Sequence, residues 1–143
     1  MSELQSALNA PLFIYFQGTF NPWISGAVAL GVVAIVSWIV RRGPSRQALV
    51  WIAAMPLPWL MLGVWAGWHW VDPGASYGHS MDGLGFLKGL VLGQLIATLL
   101  LSSVAIVKAA PARLATAILA LINGWFALLA ALLSGMMVTG AWL

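Results

Sequence analysis

The side chains best suited to chemistry fall in one short segment of the sequence. His69 and Asp72 are followed ten residues later by His79 and Asp82, so a His-x-x-Asp pattern occurs twice. At this spacing on a helix, an imidazole and a carboxylate share one face. Two such pairs supply the nitrogen and oxygen ligands that zinc, copper or iron accept. The pattern predicts a metal site, with a metal ion as the one cofactor it suggests.

The same segment has a second interpretation. Asp72-Pro73-Gly74 is typical of a turn, so the first His-x-x-Asp pattern ends a helix and does not lie within one. Each carboxylate then orients its own imidazole, or the segment is a solvated loop at a membrane surface. Histidines in such a loop titrate near neutral pH, which would make the loop sensitive to pH.

The rest of the chain is too apolar for a water-soluble domain. Of its 143 residues, 62% are hydrophobic and 6% are charged, whereas a soluble domain carries about 25% charged residues. The exterior must therefore face lipid. The sequence contains no recognisable nucleophilic triad or phosphate-binding loop, so a non-enzymatic protein is favoured. It also has no dense basic patch, which argues against nucleic acid as a partner.

Four apolar stretches are long enough to cross a bilayer, at about residues 23–40, 48–71, 84–107 and 112–140. A membrane-spanning helix needs roughly 20 residues, and in hydrocarbon its backbone groups must bond within the segment. The sequence therefore predicts an all-α integral membrane four-helix bundle, with residues 1–143 forming a single domain. Residues 1–22 are apolar and aromatic and end at Asn21-Pro22, which predicts an N-terminal segment in the outer interface.

Basic residues predict how the bundle lies in the membrane. Five of the six fall in two loops, at Arg41, Arg42 and Arg46 and at Lys108 and Arg113. The positive-inside rule places both loops in the cytoplasm and both termini outside. We therefore expect a protein of the bacterial inner membrane, oriented with its N- and C-termini toward the periplasm.

Small residues recur every four positions in three of the predicted spans, of which the fourth span carries Ala127, Ala131 and Gly135. Such stripes let helix backbones approach closely, either within one chain or between subunits. The stripes are Gly63 and Gly67 in the second span and Gly85, Gly89, Gly93 and Ala97 in the third.

Several polar or helix-breaking residues lie inside the spans. Gln94 and Asn123 each lie about 15 Å into the bilayer by helical rise, on antiparallel helices, so we expect their amides to meet near the midplane. Lys88 lies one turn inside the third span, where it extends to the headgroups, pairs with an aspartate or binds an anion. Pro56 and Pro58 predict a kink in the second span.

These features favour a small non-enzymatic subunit of a larger membrane complex or of a homo-oligomer. Its partners would be lipid and other membrane subunits or further copies of itself. One alternative is an oligomeric channel or carrier with a polar path near Gln94 and Asn123. Another is a metal-binding protein or enzyme that uses the four His and Asp side chains.

Overall fold

The computed structural model describes residues 3–19, 22–69 and 82–139. Within these ranges the chain forms six α-helices and one turn of 3-10 helix. The helices are α1 (Glu3–Thr19), α2 (Pro22–Arg41), α3 (Arg46–Ala54), α4 (Leu57–Trp68), α5 (Asp82–Lys108) and α6 (Arg113–Thr139), and the 3-10 turn is Ala110–Ala112.

Four segments of this helical chain are long and apolar enough to cross a membrane. They are Trp23–Arg41, Arg46–Trp68, Gly85–Lys108 and Ala110–Thr139. These bounds confirm the predicted all-α architecture with four candidate membrane helices, and where both are described they agree with the predicted spans to within two residues. The predicted ends at residues 71 and 140 lie outside the described ranges.

The second candidate span is interrupted where the sequence predicts a kink. α3 ends at Ala54 and α4 begins at Leu57, so the break coincides with Pro56. Proline has no backbone N–H and its ring clashes with the carbonyl one turn earlier. The helical turn is tighter at this point, because the Met55 N–H donates to Ile52 O, three residues earlier, at 3.3 Å. Bonding between residues four apart, as in an α-helix, resumes where the Leu60 N–H donates to Pro56 O at 3.1 Å.

Two buried clusters show how the helices pack. The first joins α1, α4 and α6 and contains Ile14, Trp59 and Phe126. The second joins the C-terminal end of α2 to α3, α5 and the start of α6, through residues such as Ile39 and Ala105. Lipid provides no hydrophobic force between helices, so this close packing must itself hold the bundle together.

The second cluster brings the two basic loops to the same end of the bundle. Its members Ile39 and Ala48 flank the loop with Arg41, Arg42 and Arg46, and its members Ala109 and Ala112 lie between Lys108 and Arg113. We call this end, which carries those five cations, the basic end. The shared location was expected from the positive-inside rule.

The N-terminal segment is helical and packs along the bundle. α1 makes its most extensive contacts with α4, and further contacts with α6 and α2. Gly67 lies against Ala10 and Gly63 lies against Ile14, so α1 and α4 run antiparallel. At its C-terminal end α1 reaches α6, where Gly18 contacts Phe126. The segment predicted to lie in the outer interface therefore packs along α4.

Candidate functional site

Of the proposed metal ligands, the structure describes the side chain of His69 alone. His69 follows the last residue of α4 and is exposed. Its Nδ1 donates to the carbonyl oxygen of Trp65 at 2.9 Å, and its ring lies 4.6 Å from the Trp65 ring. A carbonyl only accepts, so this bond leaves Nε2 as the nitrogen with a free lone pair.

Backbone carbonyls orient many metal-binding histidines in this way. The Trp65 carbonyl therefore orients this imidazole through Nδ1, and the orienting role considered for Asp72 stays a prediction. Asp72 and His79 lie outside the described residues, and Asp82 is the first residue of α5. Among the side chains that the structure describes, no group of three potential ligands comes together. The metal site stays a prediction.

Asn123 forms a hydrogen-bonded clamp on the proline kink. Its Nδ2 donates to Met55 O at 3.0 Å, and its Oδ1 accepts from Trp59 Nε1 at 2.9 Å. All of these groups are buried. The kink removes helical N–H donors, and Asn123 supplies one to a carbonyl at the break. The amide thus ties α6 to both halves of the second span.

The predicted contact between Gln94 and Asn123 is wrong, because each amide faces a different neighbour. Gln94 Nε2 lies 3.4 Å from Thr98 Oγ1 and 3.4 Å from Ala127 O. Ala127 is one helical turn beyond Asn123, and Asn123 itself points toward α4. The two amides bridge α6 to different helices and do not bond to each other.

Three buried polar atoms have no hydrogen-bond partner among the described residues. They are Gln94 Oε1, Ser102 Oγ and Ser134 Oγ. Gln94 and Ser102 lie on the same buried face of α5, two turns apart, with Thr98 between them. The Thr98 hydroxyl donates a hydrogen bond to the backbone oxygen of Gln94 at 2.9 Å. A buried polar atom without a hydrogen-bond partner is costly. Gln94 and Ser102 therefore leave two such atoms on one face of α5, and Ser134 leaves a third on α6.

The two glycine stripes have different surroundings. The stripe in α4 is filled by α1. A Cβ at Gly67 would lie 2.5 Å from both Ala10 Cβ and Ser6 O, and a Cβ at Gly63 would lie 2.9 Å from Ile14 Cδ1. No side chain fits at Gly67 without moving the α1 backbone. This stripe therefore serves packing within the chain.

The stripe in α5 is open. A Cβ added at Gly85, Gly89 or Gly93 would meet no neighbouring atom within 4 Å in the described part of the chain. All three glycines are exposed, while Ala97 is partly buried. We call Gly85, Gly89 and Gly93 the exposed glycine face. Lys88 is exposed on the same helix, next to this face.

Two polar clusters were not anticipated from the sequence. At the junction of α1 and α2, Tyr15 donates to Ser25 O and the Thr19 and Ser25 hydroxyls bond each other. Between α6 and the C-terminal end of α1, Trp125 Nε1 donates to Gly18 O at 3.1 Å. The only available signal was that Tyr and Trp inside a membrane need a partner for their polar atom.

No protein-family model, curated protein or solved structure matches this chain.

Proposed function

We propose that this chain is a non-enzymatic integral membrane subunit that assembles with another transmembrane helix through the exposed glycine face of α5. That helix belongs either to a second copy or to a different membrane protein. The proposal includes insertion in a bacterial inner membrane, with the basic end in the cytoplasm and both termini outside. The apolar outer surfaces of the four long helices are compatible with lipid contact.

The contrast between the two glycine stripes carries this proposal. In α4 the glycines are covered by α1, whereas no described residue lies in front of the glycines at the same spacing in α5. Large apolar side chains border the open stripe, since Leu92, Ile96 and Leu100 are all exposed. Glycines at this spacing let a second helix approach closely, and packing is the main force between helices in lipid.

A single cysteine at Gly89 tests the proposal, because the natural chain contains no cysteine. In oxidised membranes, Gly89→Cys should form a disulfide-linked species if the partner is a second copy. With a bifunctional thiol-to-amine reagent it should also capture a different chain. Gly31→Cys is the matched control, since Gly31 lies on α2 and also has open space before it. Equal cross-linking at both positions, or none at either, would refute the proposal.

A channel or carrier is the second candidate function. The unpartnered Gln94 Oε1 and Ser102 Oγ support it, because buried polar atoms that lack protein partners are satisfied by water or by a passing solute. Asn123 supports it less, since both ends of its amide are already bonded. Gln94→Leu should abolish solute flux into proteoliposomes if a polar path exists, and should leave Gly89→Cys cross-linking unchanged.

A further inference from the structure

An apolar groove of about 550 Å³ opens on the side of the bundle between α2 and α3. Such a volume is typical of ligand pockets, which range from roughly 300 to 1,000 Å³. Its walls include Val32, Val36, Leu49, Ala53, Pro56 and Trp59. Val36, Leu49 and Ala53 are exposed and form its mouth, while Trp59 is buried at its deep end. We call this feature the lateral groove.

The polar atoms that line the lateral groove already have partners. Asn123 bonds Trp59 and Met55 O, and the Tyr15 hydroxyl bonds Ser25 O. A polar ligand would therefore find few free groups to bind, and an apolar occupant is favoured. In a bilayer the available apolar molecules are lipid chains and the helices of other proteins.

The dimensions of the lateral groove favour a lipid chain over a helix. In this part of the chain the lining residues run from Leu49 to Pro56, a helical rise of about 10 Å, which is less than the roughly 15 Å depth of one leaflet. A membrane-crossing helix is about 30 Å long, so the lateral groove, which extends along only about two turns of helix, is too short to hold one along its length. A flexible acyl chain, by contrast, can place part of its length in a short apolar groove.

The charges next to the lateral groove indicate the headgroup. Arg46 lies on the same face of α3 as Leu49 and Ala53, which are three and seven residues farther along. Arg41 is the last residue of α2, and Arg42 follows it and stacks on the Trp38 ring at 5.6 Å, so both add positive charge to the same end of the bundle. The sequence has no Asp or Glu between Glu3 and Asp72. All three guanidiniums are exposed, and no ion pair engages them in the part of the chain that the structure describes.

We propose that the lateral groove binds one acyl chain of an anionic glycerophospholipid whose phosphate lies against Arg41, Arg42 and Arg46. The arginines supply charge and multiple N–H donors for phosphate, and basic sites between transmembrane helices bind anionic headgroups. The apolar walls between the proline kink and the basic end receive the chain. This site is separate from the exposed glycine face and does not depend on assembly through it.

Native mass spectrometry of the purified protein tests the proposal, with phosphatidylglycerol and phosphatidylcholine of identical chains as probes. The wild-type protein should retain one phosphatidylglycerol in preference to phosphatidylcholine. An arginine near the membrane surface contributes roughly a five-fold gain in affinity, so R41Q/R42Q/R46Q should weaken phosphatidylglycerol binding by on the order of a hundred-fold. K108Q/R113Q is the control at the same end of the bundle and should retain the wild-type preference.

The acyl-chain part of the proposal has its own pair of variants. Ala53→Trp places a large side chain in the mouth of the lateral groove and should reduce retention of both lipids. Ala34→Trp adds the same side chain at an exposed position on α2 outside the groove and should have no effect. The proposal is overturned if Ala53→Trp retains phosphatidylglycerol as the wild type does, or if K108Q/R113Q loses it as fully as the arginine variant.

Photo-labelling provides a readout on the unmodified protein, independent of whether any variant folds. A phosphatidylglycerol with a diazirine midway along one chain should label peptides that contain Val32, Val36 or Ala53. Labelling confined to the exposed face of α5, such as Leu92 or Leu99, would contradict the proposal.

Discussion

The contact between α1 and α4 gives the most direct test of the fold, through Gly67→Ala. The new Cβ would lie 2.5 Å from Ala10 Cβ and from Ser6 O, and 2.9 Å from Ala7 Cα. Carbon atoms pack at about 3.5 Å or more, so α1 must move by about 1 Å. Two of these three atoms belong to the α1 backbone, so a change of rotamer cannot relieve the overlap.

The magnitude of this effect follows from two opposing terms. Overpacking a tight core costs about 1–3 kcal/mol, whereas replacing Gly by Ala within a helix gains up to about 1 kcal/mol. Gly67→Ala should therefore lower the free energy of unfolding by about 1–2 kcal/mol. Gly89→Ala is the matched control, because its Cβ meets nothing within 4 Å. In monomeric protein, where no second helix occupies the exposed glycine face, it should leave stability unchanged or raise it by up to about 1 kcal/mol.

Unfolding of the purified protein by SDS titration in mixed micelles, followed by circular dichroism, measures both changes. The midpoint should fall for Gly67→Ala and should stay or rise for Gly89→Ala. If Gly67→Ala unfolded at the wild-type midpoint, α1 would not pack on α4 as described. If both variants were destabilised equally, the distinction between the filled and the open glycine stripe would be refuted.

Three further substitutions probe the polar core and a helix end by the same titration. Asn123→Leu leaves Met55 O and the Trp59 indole without partners, so it should cost about 2–4 kcal/mol, and a loss below about 1 kcal/mol would contradict the clamp. Ser102→Ala removes a buried hydroxyl that has no partner; it should be neutral or slightly stabilising, and a clear loss would reveal a partner. Ser45→Ala removes the side chain that caps α3 through Ala48 N–H and should cost about 1 kcal/mol, whereas no change would show that the cap is dispensable.

Each feature that could be predicted from the sequence depends on the residues of a single segment of the chain. Hydropathy and the backbone's need for internal hydrogen bonds place the long helices within two residues of their observed bounds, wherever the predicted end is among the described residues. The missing N–H of proline locates the interruption at Pro56. The basic loops mark a common end of the bundle, since charge patterning is also readable along the chain.

The features that could not be predicted depend on which helices become neighbours. The stripes at Gly63 and at Gly89 have the same four-residue spacing, yet only the first is covered, because α1 lies against it. Gln94 and Asn123 lie at similar calculated depths, but depth does not determine the direction in which a side chain points. The groove between α2 and α3 likewise has no signature in sequence, because its walls come from five separate helices.

The bond between Asn123 and Met55 also bears on the order in which this protein matures. The two residues are 68 positions apart, so the proline-containing helix leaves the ribosome well before the amide that completes it. Chains emerge from their N-terminal end at about 5–20 residues per second, which leaves an interval of several seconds. In a membrane, the Met55 carbonyl would accept a hydrogen bond from water or from the insertion machinery during that time, because lipid chains have no hydrogen-bond donors. In a membrane, the second span would therefore complete its hydrogen bonding only after α6 has been synthesised.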